Sequence, residues 1–532
     1  MAERKSQRES WASRFGIILA VAGSAIGLGN FLRFPGLVAQ NGGGAFLIPY
    51  FVAFVVVGLP ICWVEWTMGR YGGRFAHGSA PGIFDVISRR RPWAKYLGVL
   101  GIIGPLGIFF YYVYIESWTL AYGAFSIMGK YKAIAEPAAM KEFFGNYLGG
   151  SGGSFGGIGV AYFFFLVTFV LNFLIIYRGL TRGIEGFCEI AMPLLFLAGF
   201  VVMARVLTLG APLAGHPDWN VRNGLGFLWN PDFSRLSSGA VWLKAAGQIF
   251  FTLSVGIGVI LTYASYVKPK QDIALSALTA SSMNEFAEVI MGGSIVIPAA
   301  VCFFGMAGAA EASGGGVFGL GFVTMPLIFN QMPHGEIIGF YWFLLLFIAG
   351  ITSSISLLQP AVSFVEEELG MSRRKAILAI GALCFAVAHL AVFGSAVIDE
   401  MDFWFSSFGL PVFGLIEVLL FVFVFGVDRG WAELHEGADI RVPGFFRFLI
   451  RYVTPFYLAA ILVFWAVTDG WQSLLLKKPM PDGTLGPMYT PDQVPWVWGT
   501  RLLCLGLVAL GCWLVHRAWR RRAAMSAREG IT

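Results

Sequence analysis

Apolar runs of membrane-spanning length follow one another along almost the whole chain. A helix of about 20 apolar residues crosses a bilayer, and about twelve runs reach this length. They cover residues 13–38, 43–70, 92–125, 157–177, 182–207, 240–266, 275–308, 336–369, 374–395, 398–425, 447–470 and 494–520. The pattern therefore predicts an all-α polytopic membrane protein with about twelve transmembrane helices.

The first run is interrupted by residues that disfavour a regular helix. Gly23, Ser24, Gly27, Gly29 and Asn30 lie near its middle, and each glycine lowers helix propensity by about 1 kcal/mol. A helix that breaks at membrane depth leaves backbone amides and carbonyls that lipid cannot satisfy. This stretch alone leaves two explanations open: a site for a cation and an anionic group, or a glycine-rich face packed on another helix.

The sixth run has a matching interruption at Thr252, Ser254, Gly256 and Gly258. If the first ten helices form two halves of five, the second half is inverted in the membrane, and helices 1 and 6 occupy corresponding places. Paired interruptions of this kind favour a transporter site over simple packing. The predicted division of a single transporter domain, 1–532, is a first repeat at 11–207, a second at 240–425, helices 11 and 12 at 426–520, and a tail at 521–532.

Composition and charge agree with the membrane assignment. The chain is 57% hydrophobic and only 13% charged, with a mean hydropathy of +0.72, whereas soluble proteins carry about 25% charged residues. Basic clusters at 89–91, 373–375 and 517–522 fall on one side of the predicted topology, which indicates that both termini are cytoplasmic. Short loops and cysteines confined to apolar runs favour a bacterial inner membrane. We expect the protein to contact the lipid bilayer and not to bind nucleic acid.

The polar residues at membrane depth argue against an enzyme and against a channel. The six histidines form no cluster, and the polar groups concentrate at mid-depth instead of forming a continuous stripe. Side-chain oxygens near Asn284 and Thr352, together with freed carbonyls, form an environment suited to an alkali cation. Na⁺ fits, while H⁺ and K⁺ stay open. Two long connections, 128–156 and 309–333, are predicted to fold as lids over a vestibule.

Several segments resemble motifs of the neurotransmitter:sodium symporter family. They are residues 27–35 (GLGNFLRFP), 41–46, 65–66, 111–118, 250–254, 352–354 and 399–404. The resemblance extends from about residue 8 to helix 12 and is strongest to bacterial leucine-transporting members. It implies a LeuT-like 5+5 inverted repeat with broken helices 1 and 6.

That resemblance also implies a function. The expected activity is sodium-coupled symport that imports a neutral, hydrophobic, leucine-like L-amino acid by alternating access. The alternative is a proton-coupled or other small-amine or amino-acid secondary carrier of the same fold. The resemblance leaves a homodimer open.

The family's ion sites carry over residue by residue. The first Na⁺ site would use Ala25, Asn30, Thr252 and Asn284 together with the substrate carboxylate. The second would use Gly23, Ile26, Ala349, Thr352 and Ser353. An ion that contacts the substrate carboxylate would raise substrate affinity by the same factor by which substrate raises ion affinity.

The substrate pocket carries over in the same way. Its expected residues are Ser24, Ala25, Ile26, Leu28, Gly29, Ile108, Tyr112, Phe251, Thr252, Ser254, Ile257, Ser353 and Leu357. Two of them depart from the leucine transporter, which has asparagine in place of Ser24 and phenylalanine in place of Ile257. The preferred substrate size therefore stays open.

Gates and chloride dependence complete the expectations from the resemblance. Arg33 and Asp402 would close the outer side, and Arg8 and Glu367 the inner side. Glu288 stands where chloride-requiring members have serine, so its carboxylate would supply the negative charge covalently. We therefore expect two Na⁺ and no chloride requirement.

Overall fold

Helices dominate the computed structural model, which describes residues 8–150, 155–314, 316–479 and 484–528. Among these residues, ten helices are long and apolar enough to cross a membrane, and a pair bent by 49° forms an eleventh span. When the second broken pair, at the sixth position, is counted as one span as well, the number reaches the predicted twelve. In chain order they are helix 1 (1a, Arg14–Ala25; 1b, Gly29–Gln40), helix 2 (Gly44–Gly73), helix 3 (Ala94–Ile127), helix 4 (Gly159–Tyr177), helix 5 (Leu180–Leu207), helix 6 (6a, Gly239–Thr252; 6b, Val259–Ser265), helix 7 (Ala274–Glu311), helix 8 (Gly335–Glu368), helix 9 (Arg373–Phe393), helix 10 (Val397–Leu434), helix 11 (Phe445–Thr468) and helix 12 (Val494–Ala524).

Helix 1 breaks where the glycine-rich stretch predicts. Helix 1a begins after Ser13, whose hydroxyl accepts a hydrogen bond from the Gly16 amide at 2.7 Å. It ends at Ile26, which has extended backbone angles (φ −74°, ψ 93°). Carbonyls in the last turn of a helix have no partner four residues on. The break therefore leaves carbonyl oxygens available in the middle of the molecule.

Helix 6 breaks at the corresponding place, by means of left-handed backbone. Ser254, Gly256 and Gly258 have φ of 52°, 72° and 81°, a region that glycine adopts at no steric cost. A β-carbon on Gly256 would lie 2.6 Å from the Leu410 carbonyl oxygen. The freed Gly256 amide donates to the Glu65 carboxylate at 2.7 Å. Both predicted interruptions are thus confirmed.

The two broken helices lie inside the bundle. Helix 1a packs against helices 5, 7 and 8, and helix 6b packs along helix 2. Helices 3 and 8 make the most extensive contact of all, and helix 8 also contacts helix 1a. The unwound segments are therefore enclosed by protein, as irregular backbone in a membrane requires.

The two predicted lids are partly helical and pack on each other. Helices Pro137–Tyr147 and Gly316–Asn330 contain Phe144 and Phe322, whose rings stack with centroids 5.2 Å apart. Residues 151–154 and 315, which belong to these segments, lie outside the described residues.

The remaining connections are short elements. They are the helices Ala80–Ile87, Val221–Trp229, Phe233–Ser237 and Trp471–Leu474 and the antiparallel strands Lys477–Pro479 and Leu485–Pro487. Of the predicted tail 521–532, residues up to Arg528 continue the last helix, and 529–532 lie outside the described residues.

Candidate functional site

The residues expected to form the first ion site converge between helices 1, 6 and 7. The Asn30 amide lies 2.8 Å from the Asn284 amide and 3.2 Å from the Thr252 hydroxyl oxygen. The Asn30 side chain is fixed by the Gly27 amide, which donates to its Oδ1 at 2.9 Å. All three side chains are buried. The break in helix 1 thus places Asn30 against helices that are far away in sequence.

The oxygen atoms of this cluster are suitable ligands for a hard cation. One terminal atom of the Asn284 amide lies 3.2 Å from both the Ala25 and the Thr252 carbonyl oxygens. Placed as nitrogen, this atom donates to both carbonyls. Placed as oxygen, it lies beside the two carbonyl oxygens and is repelled by both. A cation bound between the three oxygens would offset this repulsion. Carbonyl, amide and hydroxyl oxygens are the ligands that such ions prefer.

Glu288 lies directly beside the first cluster and is fully buried. It accepts hydrogen bonds from Gln248 Nε2 at 2.5 Å and from Asn30 Nδ2 at 3.2 Å, and a third from the Thr252 hydroxyl. A buried carboxylate needs hydrogen bonds or a positive charge to offset its desolvation. These three donors place its negative charge next to the oxygen cluster.

The second expected ion site joins helices 1a and 8. Ser353 Oγ donates to the Ala349 carbonyl at 2.9 Å and lies 3.3 Å from the Gly23 carbonyl oxygen. Thr352 Oγ1 lies 3.2 Å from the same Ala349 carbonyl. The helices approach closely here, since a β-carbon on Gly23 would lie 3.1 Å from Thr352 Cβ. Ile26, which was also expected at this site, lies in the break of helix 1. Among the described hydrogen bonds, it forms none with Thr352, Ser353 or Ala349.

Backbone amides at the start of helix 1b meet a phenol. The Leu28 amide is 3.4 Å from the Tyr112 hydroxyl oxygen. Gly27 and Gly29 allow close packing here: a β-carbon on Gly27 would lie 3.3 Å from that hydroxyl, and one on Gly29 only 2.4 Å from Phe251 Cε1. Amides at a helix N-terminus attract anionic groups. The start of helix 1b therefore directs the positive end of its dipole toward the Tyr112 hydroxyl.

Hydroxyl groups surround the end of helix 1a. Ser254 Oγ donates to the Ser24 carbonyl at 2.9 Å, and Ser353 Oγ lies 3.1 Å from the same oxygen. The Ser24 hydroxyl itself pairs with Ser356 Oγ at 2.7 Å. Ser356 is a partner that the sequence did not indicate, because it is one of several serines in helix 8.

The other expected wall residues are uncharged and buried. Ile26, Ile108, Ile257 and Leu357 are at most 9% exposed. Ile108 precedes Tyr112 by one helical turn, and Leu357 follows Ser353 by one turn, so each lies on the same face as a residue of the cluster.

The outer gate residues lie close together without pairing. Arg33 and Asp402, which are both described, form no ion pair. The Arg33 guanidinium lies over the Phe251 ring, 4.4 Å from its centroid. Asp402 instead accepts a hydrogen bond from the Tyr111 hydroxyl at 2.7 Å. The structure therefore does not join the two residues as the predicted closing pair.

The inner gate residues form a closed network. Arg8 pairs with Glu367 at 2.9 Å and donates to the Gly73 and Ser265 carbonyls at 2.9 and 3.0 Å. Its guanidinium also lies 4.5 Å from the Tyr266 ring centroid. We call this side of the molecule the Arg8 face. Gly73 takes part through its backbone carbonyl, so its residue type gives no indication of this contact in the sequence.

A pair of carboxylates between helix 1a and helix 5 was missed at the sequence level. Glu185 accepts from the Ala12 and Ser13 amides at 2.9 and 3.0 Å, and Glu9 accepts from the Leu180 amide at 2.7 Å. Glu185 of helix 5 thus binds the amides just before helix 1a, and Glu9, which precedes helix 1a, binds the first amide of helix 5. The only signal was a carboxylate, Glu185, within an apolar run.

Comparison with known proteins agrees with this architecture. The sodium:neurotransmitter symporter family model matches residues 8–132 and 127–478. An uncharacterized sodium-dependent transporter of Methanocaldococcus jannaschii is 33% identical over 471 residues, covering 86% of this chain and 90% of its own. The uncharacterized sodium-dependent transporter YhdH of Bacillus subtilis is 28% identical over 480 residues, covering 87% of this chain and 98% of its own.

A solved structure shares the fold. The crystal structure of MhsT in complex with L-phenylalanine superposes with a TM-score of 0.73 at 29% identity, covering 86% of this chain and 99% of MhsT. The match confirms the predicted all-α, LeuT-like membrane fold. The chain is an integral membrane protein and a sodium-dependent transporter, and it belongs to the sodium:neurotransmitter symporter family.

Proposed function

We propose that this transporter imports a neutral, apolar L-amino acid together with two Na⁺, without chloride and by alternating access. The observation that carries the proposal is the convergence of both helix breaks on two oxygen clusters. One cluster contains Asn30, Thr252 and Asn284, and we call it the Asn30 cluster. The other contains Thr352, Ser353 and the carbonyls of Gly23 and Ala349, and we call it the Ser353 cluster. Along helix 1 they are separated only by the last turn of helix 1a and the break after it. A substrate between them would contact helix 1 and helix 6 at once.

The polarity of the pocket supports an amino-acid substrate. The amides of Leu28 and Gly29 at the start of helix 1b suit the carboxylate. The carbonyls at the end of helix 1a, including that of Ser24, suit the ammonium group. A zwitterionic amino acid carries both groups, so one molecule would pair with both helix ends.

The wall residues support a neutral side chain. Ile26, Ile108, Ile257 and Leu357 are apolar and buried. None of the expected pocket residues is acidic or basic, so a charged substrate side chain would lose its hydration without gaining a partner. MhsT was solved with L-phenylalanine, which is an apolar amino acid as well.

Chloride independence rests on Glu288. Its buried carboxylate already places one negative charge beside the first cluster. A chloride ion at the same place would be repelled, since like charges in a buried site oppose each other strongly. We infer that the fixed charge replaces the mobile anion.

The orientation and role of the chain follow the same proposal. We propose that both termini and the Arg8 face are cytoplasmic, in a bacterial inner membrane, and that the protein has no enzymatic activity. The division into repeats at 11–207 and 240–425 stays a prediction, and so does a homodimer.

The test is binding of a panel of radiolabelled L-amino acids to purified protein, in Na⁺ and in K⁺, each with chloride or gluconate. We expect binding of an apolar amino acid in Na⁺ that is indifferent to chloride. Binding that ignores sodium and responds to pH would favour the proton-coupled alternative. Binding of a charged or non-amino-acid ligand alone would refute the proposed substrate class.

A further inference from the structure

A basic cavity lies on the Arg8 face, away from the transport site. It has a volume of about 560 Å³ and is lined by Tyr71, Phe75, Val86, Arg89, Arg90 and Arg429. Its place on this face follows from Gly73, two residues from both Tyr71 and Phe75, whose carbonyl accepts from Arg8 at 2.9 Å. Three of its six lining residues are arginines, and none is acidic.

The positive charges of the three guanidinium groups are not paired with carboxylates among the described residues. Arg89, Arg90 and Arg429 are exposed, and within the described part of the chain none of them forms an ion pair with a carboxylate. The neighbouring acid, Asp428, pairs with Arg447 instead. The cavity therefore gathers three positive charges that have no carboxylate partner among the residues that the structure describes.

The backbone holds two of these arginines in a strained conformation. Arg89 and Arg90 have consecutive positive φ values of 56° and 63°. Residues with a β-carbon rarely adopt such angles, and they persist where the surrounding structure enforces them. Here the Arg89 amide donates to the Val86 carbonyl at 3.1 Å, and the Arg90 amide donates to the Asp85 carbonyl at 2.7 Å. The tight turn fixes the backbone of both arginines beside the cavity that they line.

The third arginine is positioned from the other side by aromatic rings. The Arg429 guanidinium lies 4.7 Å from the Tyr71 ring centroid and 5.0 Å from that of Phe425, and it donates to the Tyr71 hydroxyl. Cation–π contacts hold a guanidinium while its remaining N–H groups stay available. Arg429 is thus presented to the cavity instead of moving freely in solvent.

We propose that this cavity binds the phosphodiester headgroup of an anionic phospholipid. Arginine forks match phosphate oxygens with paired hydrogen bonds, and the cavity is wide enough for a headgroup. Phe75, which is 47% exposed in its wall, would contact the glycerol and upper acyl region, which a soluble phosphate does not have. The site would tie the lipid to the junction of helix 2, the 88–93 loop and helix 10, and it does not depend on the identity of the transported substrate.

The test compares lipid-dependent stability in nanodiscs. The variant Arg89→Gln/Arg90→Gln/Arg429→Gln is matched by Arg178→Gln/Arg182→Gln/Arg520→Gln, which removes three exposed arginines outside the cavity. Each protein is placed in phosphatidylcholine alone, in phosphatidylcholine with phosphatidylglycerol, and in phosphatidylcholine with added inorganic phosphate. We expect phosphatidylglycerol to raise the melting temperature of the wild type and the matched control by about 2 °C or more, and to leave the cavity variant unchanged.

Native mass spectrometry of the same samples gives a second readout that does not depend on melting. The wild type and the control should retain phosphatidylglycerol, and the cavity variant should lose it. If both triple variants lose the effect equally, the response is general electrostatics and the proposal is wrong. An equal response to inorganic phosphate would also overturn it, because the site would then recognise a free anion and not a lipid.

Discussion

Glu288 is the residue whose chemistry most directly decides ion dependence. It is buried and bonded to Asn30, Gln248 and Thr252. Replacing Glu288 with serine removes the fixed charge and leaves space for an anion beside the same donors. We predict that Glu288→Ser transports poorly in gluconate and gains about 5- to 150-fold with chloride, the usual range of coupling between two ligands.

The matched control for Glu288 is Glu288→Gln. Its side chain is neutral but fills the space of the carboxylate, so chloride should not restore transport. Uptake by proteoliposomes of each variant, in chloride and in gluconate, measures the difference. Transport by Glu288→Ser that is equal in the two anions would contradict the role assigned to the carboxylate.

Ile257 tests the shape of the pocket. It lies within the break of helix 6 and is 5% exposed. Replacing it with phenylalanine would fill pocket volume, and overpacking costs about 1–3 kcal/mol. We predict that Ile257→Phe weakens binding of phenylalanine more than that of leucine, and that of leucine more than that of alanine. Competition binding in Na⁺ measures this order.

Ile257→Leu keeps the side-chain volume and should change each affinity little. If Ile257→Phe weakens all three amino acids equally, the residue does not line the part of the pocket that holds the substrate side chain.

At the scale of elements, two glutamates attach the start of helix 1a and the segment before it to the start of helix 5. Glu185 holds the Ala12 and Ser13 amides, and Glu9 holds the Leu180 amide. Movement of helix 1a away from the bundle would break these bonds together with the Arg8–Glu367 pair. These bonds would therefore stabilise the closed inner side.

We predict that Glu185→Gln shifts the conformational equilibrium toward an opened inner side. The amide has one acceptor oxygen and no charge, and charge-assisted hydrogen bonds contribute about 1.5–3 kcal/mol each. Hydrogen–deuterium exchange should therefore increase in a peptide that covers residues 8–25. Glu189→Gln, an exposed position on the same helix, is the control and should not change exchange. Unchanged protection in Glu185→Gln would show that Glu185 does not hold the helix.

The elements also show what a sequence can and cannot reveal. Both helix breaks were predictable, because glycines and hydroxyl residues interrupt otherwise apolar runs. The lids were only partly predictable, since their helices Pro137–Tyr147 and Gly316–Asn330 are stabilised by aromatic packing between distant segments. The short antiparallel strands Lys477–Pro479 and Leu485–Pro487 fall in a stretch without alternating apolar residues and were not expected.

Contacts between residues distant in sequence were harder to foresee. The ion and pocket residues came from the family resemblance, which carries spatial information that a single chain lacks. Glu185 is separated from Ala12 by 173 positions and from Ser13 by 172, and the acceptor at Gly73 is a backbone carbonyl. Nothing in residue type or spacing points to such partners.

At the scale of the whole molecule, the proposed two-ion stoichiometry makes transport electrogenic. Two Na⁺ and one zwitterion carry two positive charges inward per cycle. Each charge gains about 2.3 kcal/mol per 100 mV, so two gain roughly 4.6 kcal/mol. Because about 1.4 kcal/mol is a tenfold ratio, we predict that each 100 mV raises the limiting accumulation of substrate by about a thousandfold.

Proteoliposomes with a potassium diffusion potential measure this slope directly. The Na⁺ concentrations are kept equal on both sides, so that voltage is the only driving force, and the reversal point is read from net flux at set substrate ratios. A slope half as steep on the logarithmic scale would mean that one charge moves per substrate. Either a single ion would then be coupled, or a counter-transported proton would cancel one of the two. Repeating the measurement with an imposed proton gradient separates these cases. Only proton exchange makes the reversal point depend on the pH difference across the membrane. A two-charge slope that is independent of pH would require both oxygen clusters to carry sodium in the same cycle.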